Sequence, residues 1–137
     1  MTNQTDLPCV PEMKLELVPI PVSDVDRAKE FYEKIGFTDV HDTQLTSDLR
    51  VVQFTPPGSA CAIVFGTGMG PINEMQPGSV KGLHLVVKDI NQARDAMIAR
   101  EVDASEIQDI GGVKYVWFTD PDGNLWGLQQ WPEGFKR

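Results

Sequence analysis

Cysteine and histidine are scarce in this chain, two of each in 137 residues. Cys9 and Cys61 lie far apart and form no CxxC pair, which argues against a disulfide framework or a catalytic thiol. A reduced, buried Cys61 is the expectation. Basic charge is also short: 12 Lys and Arg stand against 20 Asp and Glu, for a net charge of −8. Neither nucleic acid nor an anionic membrane would be drawn to such a surface. No apolar run approaches the roughly 20 residues of a membrane span. Residues 1–13, MTNQTDLPCVPEM, lack the basic and apolar regions of a secretory signal, so they read as a loose tail or an arm laid on a neighbour, with the cytoplasm as default location. What remains is ordinary globular material, 41% apolar and 23% charged, enough for one domain with a real core.

The chain repeats itself. VPIPVSDVDRAKEFYEKIGF, from Val18 to Phe37, returns as LHLVVKDINQARDAMIAREV from Leu83 to Val102, an offset of 65 positions. Asp24 falls on Asp89 and Ala28 on Ala93, while Phe54-Thr55-Pro56-Pro57-Gly58 anticipates Phe118-Thr119-Asp120-Pro121-Asp122-Gly123. Two copies of such length build one duplicated domain rather than a solenoid.

Each copy reads as βαβββ. In the first, strands are expected over 13–22, 37–42, 49–55 and 60–65. The helix between the first two is capped by Ser23 or Asp24, carries the stripe Val25, Ala28, Phe31, Tyr32 and Ile35, and stops at Gly36. In the second, strands are expected over 81–87, 103–108, 114–119 and 124–130. Its helix spans 90–100, opens with the box-like Asp89-x-x-Gln92 and ends without a glycine. The chain thus divides into a tail (1–12), a first module (13–66), a Gly- and Pro-rich linker (67–79), a second module (80–131) and a short C-terminal tail (132–137). The linker contains GTGMG, but no helix follows to make it a phosphate cradle.

One helix covers one face of a four-stranded sheet, and side-chain alternation says which. Val18, Ile20, Val22, Val52, Phe54, Leu83, Leu85, Val87, Val116 and Phe118 share the helix-side parity, and Trp126 joins them. The free face then carries Leu17, Pro19, Gln53, Thr55, Gly82, His84, Val86, Tyr115, Trp117, Thr119, Leu125, Gly127 and Gln129. If the sheets join and curl, that face walls a cleft.

VPIPVSDVDRAKEFYEKIGF and FTDPDGNLWGLQQ resemble the vicinal oxygen chelate superfamily, which includes glyoxalase I, bleomycin-resistance proteins, fosfomycin-resistance enzymes and extradiol dioxygenases. The resemblance runs over residues 13–131 and implies an α+β fold: two βαβββ modules forming a curled mixed sheet around a cleft, usually in a homodimer. It does not imply one chemistry, because the scaffold hosts lyases, oxygenases and binding proteins alike. In the superfamily's metal enzymes, His, Gln or Glu ligands come from the opening and closing strands of each module. The matching positions here are Leu17, Ala62, Gly82 and Gly127. None has a side-chain donor, so no metal and no other cofactor is expected. A shift of two residues would bring in His84, but its counterpart is Pro19.

The expected ligand-binding set is Gln53, His84, Tyr115, Trp117 and Gln129, with His84 also the one candidate base. The bland alternatives are a satisfied His84 and a Trp117 that merely fills space. Arg50 is an anion contact or a solvated arginine. Asp120, Asp122 and Asn124 belong to a turn, and two histidines support no Ser-His-acid triad. Two functions stay open. One is a metal-free, bleomycin-resistance-like protein that sequesters or carries a flat or cationic compound. The other is a glyoxalase-like lyase or isomerase, with a shifted metal site or with His84 as base.

Overall fold

The computed structural model describes residues 7–135; Met1–Asp6 and Lys136–Arg137, parts of the two expected tails, lie outside them. The first module comprises β1 (Leu17–Pro19), α1 (Val25–Lys34), β2 (Thr38–Gln44), β3 (Arg50–Thr55) and β4 (Ala62–Thr67). A single helical turn, α2 (Pro71–Glu74), interrupts the linker. The second module follows with β5 (Lys81–Val86), α3 (Ile90–Ala99), β6 (Gln108–Ile110), β7 (Val113–Thr119) and β8 (Leu125–Gln130). Each module makes its own four-stranded mixed sheet, in the orders β1-β4-β3-β2 and β5-β8-β7-β6. The first strand of each lies parallel to the fourth, and the other pairs are antiparallel. The two sheets form an open α+β arrangement.

The helices start where their caps require. Asp24 and Asp89 each accept a bond from the backbone N–H three residues on, Arg27 and Gln92, a contact worth about 1 kcal/mol. Gly36 takes the left-handed conformation after α1, at φ +93°. After α3 no glycine is available, and Glu101 adopts that conformation instead, at φ +64°.

Two strands differ from the sequence expectation. The first was expected over 13–22 but is a strand only at Leu17–Pro19; the Ile20 N–H still donates to the Val64 carbonyl (2.8 Å), and Pro21 has no N–H to carry the ladder further. The strand expected over 103–108 forms only at Gln108–Ile110. Residues 103–107 are held through Ser105 instead: its N–H donates to the Trp117 carbonyl (2.9 Å), its Oγ accepts from the Trp117 N–H (2.9 Å) and its carbonyl accepts from Arg94 Nε (2.7 Å). The buried Val102 and Ala104 gave that segment its strand-like alternation.

Both modules feed one core. The helix-side residues Ile20, Val52, Phe54, Val116, Phe118 and Trp126 belong to a single buried cluster with Phe31 and Tyr32 of α1. Phe31 lies 6.4 Å from Phe118, and Tyr32 lies 6.0 Å from Trp126, between ring centroids. The helix-side faces of both sheets therefore converge, and the free faces are left on the outside.

A clasp of polar bonds sets that geometry. Asp120, in the β7–β8 turn, is only 4% exposed. Its carboxylate accepts from the Tyr32 hydroxyl (2.8 Å), from Asn124 Nδ2 (2.8 Å) and from the N–H groups of Asp122 and Asn124. Asn124 Nδ2 also donates to the Pro21 carbonyl, and Asp122 accepts from Ser23 and Arg27 of the first module. Burial, reinforced by the neighbouring Asp120, pushes the Tyr32 phenol far above its usual pKa, so it stays a donor at any ordinary pH. The hydroxyl in turn accepts from Trp126 Nε1 (3.1 Å). Tyr32→Phe removes that acceptor and a donor to Asp120 together. The expected loss is roughly 1–3 kcal/mol of unfolding free energy, read as a lower urea midpoint at unchanged slope.

Candidate functional site

Three of the five expected ligand-binding side chains meet on the free face of the second sheet. Trp117 stacks on Tyr115 with centroids 5.6 Å apart and planes 8° from parallel. His84 stands edge-on to both, 5.9 Å from Tyr115 and 5.4 Å from Trp117. Alternate positions of β7 bring the first two rings to one face, and β5, on the far side of β8, brings the third. Gln129, the fourth, lies opposite Tyr115 in the β7–β8 ladder and opposite Val86 in the β5–β8 pair, and is 8% exposed.

His84 is oriented by a local bond. Its Nδ1 lies 2.6 Å from the Gly82 carbonyl oxygen. A carbonyl only accepts, so Nδ1 carries a proton there, and Nε2 is the ring nitrogen left facing outward partners. Trp117 is held from its other end, where Nε1 donates to Gln108 Oε1 at 3.2 Å.

Gln53, the fifth, stands apart. It lies on the free face of the first sheet, opposite His41 on β2. Alternation counted along β2 misses this pairing, because an irregularity between Thr38 and His41, where Asp39 has φ +50°, inserts an extra residue. Arg50 is neither an anion contact nor solvated. It makes two bonds to Asp42 and an ion pair with Asp26, and hydrogen bonding from Arg50 holds the Asp42 carboxyl well below its usual range. Both cysteines are free; Cys61 is only half-buried, and burial pushes its thiol pKa up.

A hollow of ≈630 Å³ opens on the same face, lined by His84, Val86, Gln129, Trp131 and Phe135. Trp131 and Phe135 were assigned to no site by sequence reasoning, since both stand at or beyond the end of the last strand. The rings nevertheless stack at 4.4 Å and 12°. On the helix side, a groove of ≈410 Å³ runs between α3 and the Pro56–Ser59 turn. Apart from Ser59 and His84, its lining carries no polar side chain, so it offers burial without orientation.

The residues present do not fit the divalent ion of the fold's metal enzymes. At Gly82 the backbone is left-handed, φ +104°, which would strain a histidine. At Gly127 the ring of Trp117 already covers the space: a Cβ there would meet Trp117 Cζ3 at 2.8 Å and His84 Cδ2 at 3.3 Å. Leu17 and Ala62 supply no donors. Among the described residues no group of three or more His, Cys, Asp or Glu converges.

Two βαβββ modules, each with a mixed four-stranded sheet and one open face, are the fold of the Glyoxalase/Bleomycin resistance protein/Dioxygenase superfamily. The family profile matches residues 14–128, and the chain belongs to that superfamily. Among solved structures it is similar to TnmS3, an antibiotic binding protein from Streptomyces sp. CB03234, at 31% identity over 89% of this chain and 98% of that one, with a TM-score of 0.76. It is also similar to a glyoxalase/bleomycin resistance protein from the same organism (32% identity; 85% and 100% covered; TM-score 0.71). A superfamily member from Sphaerobacter thermophilus matches at 30% identity (87% and 98% covered; TM-score 0.75). No curated protein matches.

Gly127 is the position on which the ring cluster rests. Gly127→Ala is expected to push Trp117 off its stack with Tyr115 and to cost about 1–3 kcal/mol as overpacking. Loss of near-ultraviolet circular dichroism, with the far-ultraviolet spectrum kept, is the signature to measure.

Proposed function

We propose that this protein binds a flat or cationic small molecule without a metal ion, to sequester or carry it, as a bleomycin-resistance-like member of its superfamily. The observation that carries the reading is the ring of Trp117 lying over Gly127, the place where the metal enzymes of this fold present their closing ligand. An aromatic platform has replaced an ion site. Stacked Tyr115 and Trp117 give a planar compound a face to lie on, worth about 0.5–1.5 kcal/mol per aromatic contact beyond burial. His84 Nε2 and Gln129 supply imidazole and amide groups, and a net charge of −8 favours a cation. TnmS3, described as an antibiotic binding protein, makes ligand binding on this scaffold a direct precedent.

A planar cationic acridine dye is a suitable probe, titrated by quenching of tryptophan fluorescence. Trp117→Ala is expected to weaken its binding roughly tenfold. Elemental analysis of the purified protein should find far less than one transition-metal ion per chain. Stoichiometric metal, or dye binding indifferent to Trp117, would refute the assignment. A turnover lost in His84→Ala with binding retained would move it to a metal-independent enzyme.

The ligand cleft is proposed to close across a homodimer. Within one chain the free faces are on the outside, and the second leaves Val86 58% and Ile110 60% exposed. A second copy would bring Gln53 and His41 over His84, Tyr115 and Trp117, completing the five-residue wall, with the cytoplasm as the working location. Sedimentation velocity should give a dimer for the wild type and a monomer for Val86→Lys. A monomeric wild type with full dye affinity would rule this arrangement out.

A further inference from the structure

We propose that the turn after β8, Trp131 to Phe135, is a second contact station for this ligand, and that the Trp131 indole N–H recognises an acceptor oxygen borne on the ligand's ring system. The inference deepens the binding reading above and rests on it.

Of the three indoles in the chain, two are paired. Trp126 Nε1 donates to the Tyr32 hydroxyl, and Trp117 Nε1 donates to Gln108. Trp131 Nε1 is buried and has no acceptor, and it is the only buried side-chain nitrogen or oxygen among the described residues left in that state. A buried donor without a partner destabilises the free protein. In a chain where even the Asp120 carboxylate is saturated with donors, that isolated cost marks a place where an acceptor is supplied from outside.

The surroundings say what brings it. The Trp131 ring lines the same hollow as His84, Val86 and Gln129. It is therefore next to the platform but on a separate element, at the end of β8. The turn that carries it is folded, with the Phe135 N–H donating to the Pro132 carbonyl (3.1 Å) and Gly134 at φ +81°. Phe135, stacked on Trp131, is 49% exposed and stands in the last described turn of the chain. The turn holds little apolar burial at this end, so it can shift as a unit to bring the indole N–H to a ligand atom in the hollow. The Tyr115 hydroxyl and the Gln129 amide stand on the same face and can meet further polar groups on the same compound. The class that fits is a planar polycycle with a carbonyl oxygen in the ring plane, where an N–H donor meets its lone pairs. An all-hydrocarbon ring system would stack on the platform and leave the indole N–H unpaired.

The test uses two planar tricyclic probes of the same shape, fluorenone and fluorene, each carrying the same trimethylammonium arm. Affinities are measured by calorimetry on the full chain. The wild type is expected to prefer the ketone by roughly three- to tenfold, the worth of one neutral hydrogen bond. Trp131→Phe keeps a smaller ring against Phe135 and removes the N–H together with part of the indole, a loss of area that the fluorene probe reports separately. It is expected to bring the ratio close to one while fluorene affinity holds within about twofold. Trp117→Ala should weaken both probes and leave their ratio intact. A ketone preference that survives in Trp131→Phe, or no preference in the wild type, overturns the role given to Trp131 while leaving the platform standing. If neither probe binds the wild type, the flat-ligand reading itself fails, and this inference with it.

Discussion

The buried carboxylate of Asp120 is the constraint on which the arrangement of the molecule depends. A charged group taken out of water is tolerated only when its oxygens are saturated with donors. Here the donors come from two places: the turn's own backbone and Asn124, and Tyr32 in the helix of the other module. Meeting that demand locks α1 over the helix-side face of the second sheet. Phe31, Tyr32, Phe118 and Trp126 then pack into one core. The faces left outside are those on which His84, Tyr115 and Trp117 stand, so the clasp positions the candidate site without touching it.

Where a metal enzyme of this fold carries donors, this chain has Leu17, Ala62, Gly82 and Gly127. The two glycines are not idle. Gly82 occupies a backbone conformation that suits no other residue well, and its carbonyl orients His84. Gly127 makes room for the Trp117 ring. The same two glycines therefore leave those positions without a side-chain donor and shape the aromatic surface of His84, Tyr115 and Trp117.

Much of this was legible beforehand, and the misses have identifiable causes. The caps at Asp24 and Asp89, the apolar stripe of α1 and the alternation in β3, β5, β7 and β8 are local signals, and each element formed where they pointed. The strand expected over 103–108 failed because Val102 and Ala104 are buried by packing rather than by a ladder, and burial alone leaves the same alternation. His41 was set aside as a residue near a turn on a different strand; its place opposite Gln53 depends on the extra residue near Asp39, and an irregularity of that kind has no reliable composition signal in the sequence. Trp131 stood at the last position of the expected second module and Phe135 in the expected tail. Their pairing depends on a turn beyond the last strand, and no periodicity spans it.

The sequence by itself determined the two modules, their internal order and the identity of the residues on each face, because strand alternation and helix capping depend on neighbours a few positions away. It also determined that no donor stands at the expected metal positions. How the modules meet was decided by the tertiary structure alone. Tyr32 and Asp120, or Pro21 and Asn124, are contacts between residues far apart in the chain, and nothing in the spacing of either partner encodes the other. The same reason separates Gln53 from the other four predicted site residues within one chain: parity assigns a residue to a face, but only the packing of the two sheets decides what that face looks toward.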